Sequence, residues 1–470
     1  MKKNVVSDAL RTGLNKTPSA LVRFVLWVLS IAVFFVFARY ARYVKIDDFS
    51  GTKTAEMQML SGAIFGAIFA LAYGVQLRAG RKLPVYMHVL LAVITGAVLL
   101  GKISLLDYVS DDYDIFLSNW IYAYSKLGFK EGMGTYIGSD YGPPYLYILQ
   151  LISYVKEYPP QYLVKVVSMA FEVLMAYALM KISALKVKGA GARLMVFHMV
   201  LLLPTAVFNG AYWGQCDVIY TSLCLMALYM GMTGRSARSM LFFGLALGFK
   251  LQMVFFLPAL LPLWLNKKIK LRHLVLIPAG YMLLMLPALW AGKSMHHVLT
   301  VYRQQAGQYN FITVNAPNLY QFLPALDKEL LYSMFSPMAM VLGFACVMAM
   351  CALVTTHRDN ITTDSTVLVC LLMLTGVPFF LPKMHERYTF GADVLSLVAA
   401  AYAPARRFML PLCFGFASYI AYTAGLPGDT VLGLRWAAVF QAAGIALTAA
   451  ELWRSLQAGK ADQVMTEVKA

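Results

Sequence analysis

Charged side chains are scarce in this sequence of 470 residues, since Asp, Glu, Lys and Arg together make up 13% of it. Soluble domains average about 25% charged residues. With 60% hydrophobic residues and a mean hydropathy of +0.64, the chain has too little polar surface for an ordinary soluble domain. Apolar runs of about 20 residues, enough to cross a bilayer, recur along nearly its whole length. In lipid, backbone N–H and C=O groups must form hydrogen bonds with each other, because no water is available. The predicted fold class is therefore an all-α polytopic membrane protein.

Cysteine and histidine are also few. The six cysteines lie mostly inside apolar runs without paired spacing, which indicates small core residues rather than disulfides or a metal site. The seven histidines show no metal-ligand spacing. We therefore predict no metal site and no cofactor, with a need for a divalent ion left open. A cleaved signal peptide is not indicated, because residues 1–19 are polar and basic and the apolar run that follows is long enough to stay in the membrane.

Positive charge sets the predicted orientation. Basic residues near the N-terminus and between alternate apolar runs place both termini in the cytoplasm by the positive-inside rule. Most of the 40 Lys and Arg fall in the segments assigned to the cytoplasm, whereas most of the 23 acidic residues do not. Such a basic collar suits an anionic inner leaflet rather than a nucleic acid. About twelve spans are predicted, near 20–38, 57–77, 84–105, 161–181, 191–208, 214–232, 273–291, 333–354, 365–381, 389–403, 408–424 and 431–452.

Two segments depart from the spanning pattern. The run 144–155 is about half the spanning length, which indicates an interfacial helix in a long outer loop. Segment 239–265 has basic residues beyond both ends, and Lys250 and Gln252 interrupt its middle. We predict a re-entrant hairpin with these two side chains at its tip. Irregular backbone at that depth is tolerated only where protein or a watered cavity surrounds it.

Acidic residues cluster directly after the third apolar run, where Asp107, Asp111, Asp112 and Asp114 occur. The predicted topology places this cluster outside. It places further polar groups on the same side, namely Asp140-Tyr141, the turn Trp213–Asp217, the hairpin tip, Asn315 with Asn318, and Lys383-Met384-His385-Glu386-Arg387-Tyr388. Ionisable groups in or beside a membrane are costly, so they are functional candidates by default. The sequence therefore predicts one outward-facing cavity.

These clusters, in this order, resemble the bacterial integral-membrane glycosyltransferases of the C-type superfamily (GT-C), which are mannosyltransferase-like. The motifs are Ser110-x-Asp112-Tyr113-x-x-Phe116-Leu117-x-x-Trp120, Asp140-Tyr141-x-Pro143-Pro144-Tyr145, Trp213-Gly214-Gln215-x-Asp217, Lys250-x-Gln252, Asn315-x-Pro317-Asn318 and Lys383–Tyr388. The resemblance runs from about Ser110 to Asp393. Two departures stand out. The acidic loop follows the third span instead of the first, implying an extra N-terminal helix pair, and Leu251 replaces the usual proline after Lys250.

The resemblance implies a polyprenyl-phosphate-linked sugar as donor and an inverting transfer on the outer face of the bacterial cytoplasmic membrane. The acceptor would be a hydroxyl of a glycan, glycolipid or protein. An Asp in the first large outer loop is the implied general base, and the motif register selects Asp112. Attack of a hydroxyl on an anomeric carbon needs such a carboxylate. Because the leaving group is a phosphate, cations are needed as well, and these are predicted to be Lys250, Lys383, Arg387 and His385.

The remaining cluster residues are predicted to bind substrate: Asp111, Asp114, Asp140, Tyr141, Trp213, Gln215, Asp217, Gln252, Asn315, Asn318, Glu386 and Tyr388. Structural roles compete with these assignments. Asp112 could be a solvated loop acid or a helix N-cap, Trp213 could anchor the chain at the membrane interface, and the asparagines could cap or turn a loop.

The predicted organisation is an N-terminal segment 1–106, a catalytic module 107–393 with outer loops 107–160 and 292–332, and a C-terminal segment 394–470.

Other classes of membrane protein would also use many spans around a polar cavity. A flippase for lipid-linked saccharides is one alternative, although carriers commonly show two related halves with matching broken helices, and only one interrupted hairpin is evident. A polysaccharide polymerase or ligase that uses a polyprenyl-diphosphate donor is another. Membrane lipids are predicted partners in every case, and nucleic acid in none.

Overall fold

The structure is a computed structural model that describes residues 14–40, 51–139, 141–307, 310–324, 327–426 and 430–467. Across these ranges the chain is almost entirely helical, with two strands of two residues each. Nine of the described helices are long and apolar enough to cross a membrane. The predicted class, an all-α multi-pass membrane protein, is therefore confirmed.

The α-helices are α1 (Ala20–Tyr40), α2 (Gly51–Ala79), α3 (Val85–Ile103), α4 (Ser118–Lys126), α5 (Phe129–Gly134), α6 (Pro143–Ser153), α7 (Pro160–Ser183), α8 (Ala190–Leu202), α9 (Pro204–Val207), α10 (Asp217–Met232), α11 (Ser236–Phe249), α12 (Leu260–Leu265), α13 (Leu276–Trp290), α14 (Met295–Gly307), α15 (Lys328–Thr356), α16 (Thr363–Phe380), α17 (Phe390–Tyr402), α18 (Pro404–Arg407), α19 (Met409–Gly425) and α20 (Leu434–Glu467). Two π-helices, Tyr113–Leu117 and Phe208–Trp213, and four 3₁₀ segments, Leu251–Ala259, Leu271–Val275, Leu319–Phe322 and Arg358–Asn360, join them. The strands are β1 (Thr313–Val314) and β2 (Met384–His385).

The helices of spanning length are α1, α2, α3, α7, the continuous stretch Leu271–Trp290, α15, α16, the stretch Pro404–Gly425, and α20. A tenth span results if α8 and the stretch Pro204–Trp213 are counted together, although they bend by 49° at the break before Pro204. The predicted spans 214–232 and 389–403 correspond to α10 and α17, which have 16 and 13 residues. These helices are shorter than the bilayer thickness requires, and nearly all their residues are buried. The total of twelve spans stays a prediction.

The chain reverses direction at Lys250. This residue has an extended backbone (φ −151°, ψ 142°), which ends α11 and begins a 3₁₀ segment. The backbone N–H of Lys270, beyond the second arm, donates to Ser236 Oγ at the start of α11, at 2.9 Å. The two arms therefore end side by side, and Lys250 lies at the opposite end, between them.

One buried core extends from α1 to α20, and residues on both sides of the predicted boundaries near 106 and 393 pack in it. Its polar links join the N-terminal helices to the rest of the chain. Gln76 of α2 is hydrogen bonded to Thr95 of α3, whose hydroxyl also lies 3.2 Å from His198 Nε2 of α8. Helices α2 and α3 are thus joined to α8 by buried hydrogen bonds as well as by apolar packing.

The pairing of the two short strands brings distant segments together. β1 lies parallel to β2, with Thr313 opposite Met384 and Val314 opposite His385. The backbone N–H of Lys383 also donates to the carbonyl of Ile312, at 3.2 Å. This contact fixes the segment 292–332, predicted to be an outer loop, against the motif 383–388.

Candidate functional site

The segment before Asp112 is held by a lysine of α7. Lys165 Nζ donates hydrogen bonds to three carbonyl groups just beyond the end of α3, those of Leu105 (3.3 Å), Leu106 (3.0 Å) and Tyr108 (2.6 Å). Buried backbone carbonyls outside a helix need hydrogen-bond donors, and this buried ammonium group serves three of them at once. Lys165 therefore fixes the course of the chain just before it reaches Asp112.

The turn that follows the second π-helix holds the Asp112 carboxylate. Gly214 ends this π-helix with φ +80°, a left-handed conformation that glycine adopts without steric cost. The turn then places two donors on one oxygen, since Trp213 Nε1 lies 3.1 Å from Asp112 Oδ2 and Gln215 Nε2 also donates to it. Ser110 Oγ donates to the carbonyl of Trp213, at 3.1 Å. Among the described residues, none is hydrogen bonded to the other oxygen, Oδ1.

A buried ion pair lies beneath this turn. Lys250 Nζ is 2.6 Å from Asp217 Oδ1, and the two side chains are 3% and 0% exposed. The other oxygen of Asp217 accepts a hydrogen bond from Asn209 Nδ2 at 3.0 Å and lies 3.4 Å from Arg387 Nε. Asp217 begins α10, where the helix dipole also favours a negative charge. One carboxylate thus partly neutralises two of the predicted phosphate-binding cations.

Arg387 lies among three carboxylates. Its Nη1 is 3.0 Å from Glu386 Oε1 and 4.0 Å from Asp112 Oδ2, in addition to the contact with Asp217. Its guanidinium group is 5.2 Å from the centre of the Trp213 ring, a cation–π distance. Burial raises the pKa of Glu386, and the adjacent Arg387 lowers it in part. The guanidinium group is therefore held in place from several sides.

His385 belongs to β2 and lies beside these cations. Burial lowers its pKa to about 3, and the positive charges of Arg387 and Lys250 lower it further in the same direction. The imidazole is therefore neutral at pH 7, and it would contact a phosphate through a hydrogen bond rather than as a cation. The opposing residue Asn315 has φ +55°, which asparagine tolerates better than most residues.

These side chains line a cavity of about 310 Å³, which we call the polar cavity. Of the predicted site residues, it contains Asp112, Tyr141, Trp213, Gln215, Lys250, Gln252, Asn315, His385, Glu386, Arg387 and Tyr388. A second cavity of about 430 Å³, the apolar cavity, shares four residues with it: Gln252, Gln305, His385 and Tyr388. Its other walls are mainly apolar and include Leu251, Val254, Phe255, Met340, Leu381 and Pro382. A polar and an apolar compartment thus meet at one set of side chains.

The other predicted site residues lie elsewhere. Asp111 and Asp114 are exposed and are not among the residues that line the polar cavity. Lys383 lines the apolar cavity, and its Nζ donates to Asn310 Oδ1 at 3.2 Å. Asn318 is buried and caps a 3₁₀ turn by accepting a hydrogen bond from the backbone N–H of Tyr320. Asp140 lies outside the described residues.

Several residues that line the polar cavity were not among the predicted site residues: Phe116, Leu117, Trp120, Tyr145, Gly214, Gln305, Phe311, Val314 and Gly425. The first five belong to the sequence motifs, so their position within those motifs was a usable signal. Gln305 on α14 and Gly425 at the end of α19 carry no such signal. Neither does Asn209, which supports Asp217 and also donates to Tyr422 Oη at 3.0 Å.

The side chains of the polar cavity combine a proton acceptor with cationic groups. Asp112 has one oxygen fixed by two donors, and it lines a cavity that also contains a lysine, an arginine and several aromatic rings. Such a site can accept a proton from a hydroxyl group and bind an anion beside it. Within the described residues, no group of three or more His, Cys, Asp or Glu side chains is placed to hold a metal ion. A scan against protein-family models found no match, and a search of curated proteins found no similar chain.

Proposed function

We propose that this protein is an inverting membrane glycosyltransferase that transfers a sugar from a polyprenyl-phosphate-linked donor to an acceptor hydroxyl. The observation that carries the proposal is the position of Asp112 in a polar cavity that adjoins an apolar one. A donor of this kind has a hydrophilic sugar, an anionic phosphate and a hydrocarbon chain joined in that order. The two cavities offer surroundings for each of these parts in the same order.

The sugar would occupy the polar cavity near Asp112. Trp120, Tyr141 and Trp213 line it and can contact the C–H face of a sugar ring, while Gln215 and Asn315 offer hydrogen-bonding groups. The hydrocarbon chain would begin in the apolar cavity, along Leu251 and Phe255. The phosphate would then lie where the cavities meet, close to His385 and Tyr388.

Binding of the phosphate requires a change in charge pairing, because Lys250 and Arg387 already contact carboxylates. Burial raises the pKa of Glu386, so a proton on this carboxyl group costs less than it would in water. Protonation of Glu386 would release Arg387 from one of its partners. Arg387 could then bind two phosphate oxygens at once, with Lys250 adding charge from below.

The transfer follows from these positions. The acceptor hydroxyl attacks the anomeric carbon while Asp112 accepts its proton on Oδ1. A new carbon–oxygen bond forms as the bond from the anomeric carbon to the phosphate oxygen breaks, and polyprenyl phosphate leaves with the electron pair. Attack opposite the leaving group inverts the anomeric centre. Trp213 and Gln215 bind Oδ2, which leaves Oδ1 to accept the proton.

The experiment that tests this proposal compares Asp112→Asn with Asp111→Asn. Both remove one negative charge from adjacent positions, but only Asp112 lines the polar cavity. In membrane vesicles supplied with radiolabelled polyprenyl-phosphate sugars, Asp112→Asn should lower the transfer rate about 10²- to 10⁴-fold, the usual contribution of a general base. Asp111→Asn should stay within about twofold of wild type, since exposed charges contribute little. Equal rates in the two variants would remove Asp112 as the base.

A further inference from the structure

A third cavity, of about 370 Å³, lies between α1 and α2, and three arginines line it together with apolar and aromatic side chains. We call it the arginine cavity; its lining includes Arg23, Arg78, Arg81, Phe24, Trp27 and Leu77. Arg81 lies four residues before Val85, where α3 begins, whereas the far end of α3 leads to Asp112. With 19 residues, α3 is about 28 Å long. The arginine cavity is therefore separate from the candidate active site.

The three arginines give the arginine cavity a positive charge. Among the described residues, no carboxylate lies within 4.0 Å of their guanidinium groups. Arg23 Nη1 donates only to backbone carbonyls, those of Pro18 at 2.8 Å and Arg81 at 3.4 Å. Arg23 is half-buried, whereas Arg78 and Arg81 are exposed at the rim of the cavity. Three guanidinium groups around one cavity, without a carboxylate partner among the described residues, favour an anionic ligand.

The walls of the arginine cavity indicate the source of that anion. Trp27 is partly buried and fixed by a hydrogen bond from Nε1 to the carbonyl of Ala70, at 2.9 Å. Phe24, one turn earlier on α1, is 59% exposed on the outside of the bundle. Aromatic rings of this kind are enriched at the level of lipid headgroups. A phosphate at the arginines would thus have hydrocarbon-binding surface directly beside it, which a soluble phosphate would not use.

We propose that the arginine cavity binds an anionic phospholipid, with the headgroup phosphate on Arg23, Arg78 and Arg81 and an acyl chain along Phe24 and Trp27. The guanidinium fork matches two phosphate oxygens, so arginine suits this role better than lysine. Zwitterionic lipids carry a compensating ammonium group that the three positive charges disfavour. The site holds the N-terminal helices to lipid of one headgroup class, independently of the transfer reaction.

The test measures the lipid retained by the purified full-length protein. The protein is exchanged into detergent with equal amounts of phosphatidylglycerol and phosphatidylcholine, and bound lipid is counted by native mass spectrometry. The site variant is Arg23→Gln/Arg78→Gln/Arg81→Gln. The matched control is Arg235→Gln/Arg238→Gln/Arg272→Gln, which removes the same charge from exposed arginines elsewhere. The site variant should lose phosphatidylglycerol affinity roughly 100-fold, since each basic residue at an anionic surface strengthens binding about fivefold.

Three results would overturn the proposal. Equal losses in both triple variants would show a general effect of positive charge, and equal retention of the two lipids would show no headgroup selectivity. Competition by soluble glycerol phosphate as strong as that by the lipid would assign the cavity to a soluble phosphate. If the triple variant does not fold, Arg78→Gln/Arg81→Gln serves instead, because these exposed side chains form no hydrogen bonds among the described residues. Its expected loss is roughly 30-fold.

Discussion

Replacement of Lys250 by Met should destabilise the protein strongly, because it would leave a buried carboxylate without its closest cation. Lys250 and Asp217 lie 2.6 Å apart with side chains 3% and 0% exposed. Removal of one partner from such a pair typically costs about 3–5 kcal/mol. Arg387, at 3.4 Å, and Asn209, at 3.0 Å, still contact Asp217 and compensate it in part. We therefore expect a loss near the lower end, about 3 kcal/mol.

The assay is equilibrium unfolding in detergent micelles, with Lys268→Met as the matched control. Lys268 is exposed near the other end of the hairpin, so its replacement should change the free energy of unfolding by less than about 0.5 kcal/mol. The double variant Lys250→Met/Asp217→Leu removes both charges. The loss of unfolding free energy in the double variant should be smaller than the sum of the losses in the two single variants, by about 2 kcal/mol or more, because the residues interact directly. Additive costs, or a Lys250→Met effect as small as that of Lys268→Met, would refute the pairing.

Two further predictions concern stability. The pKa of His385 is lowered to about 3 in the folded protein, so between about pH 6.5 and 3 the unfolded chain binds more protons and stability falls as pH falls. His385→Gln should therefore lose less stability than wild type between pH 7 and 5, measured by unfolding midpoints; identical pH profiles would contradict this. Arg407→Met should cost about 3–5 kcal/mol because it leaves Asp364 and Glu451 buried without their central cation. Arg406→Met, which removes a 58% exposed partner of Glu451, should cost under about 1 kcal/mol in the same unfolding experiment, and equal losses would rule out this role for Arg407.

Hydropathy was sufficient to predict most of the helices, because a spanning helix must be apolar along its whole length. It was less informative about whether α10 and α17 cross the membrane, although the predicted bounds 214–232 and 389–403 lie within three residues of the observed ones. The residues that flank them, such as Trp213 and Tyr388, form turns that line the polar cavity. Apolar composition does not distinguish a helix buried in protein from one that crosses lipid, so the burial of these two helices could not be predicted from the sequence.

The motif residues were informative about which segments meet, but not about which side chains pair. Lys250 and Asp217 were assigned separately to phosphate and substrate, whereas the structure pairs them with each other. A pairing over this distance in the chain depends on the tertiary arrangement of α10 and the hairpin. The exposure of Asp111 and Asp114 beside Asp112 likewise depends on the π-helical turn that follows. The pattern of polar and apolar residues along the chain gives no indication of a π-helical turn.

The central claim concerns chemistry at Asp112 with a lipid-phosphate donor, and one measurement tests it most directly. Purified wild-type protein is reconstituted in vesicles with a radiolabelled polyprenyl-phosphate sugar and a pool of acceptor glycolipids, and both labelled product and released polyprenyl phosphate are measured. We expect the two to appear in equal amounts, with the anomeric configuration of the product inverted. If no donor of this class yields product, while a lipid-linked saccharide crosses the bilayer intact, the protein is a flippase and the account is contradicted.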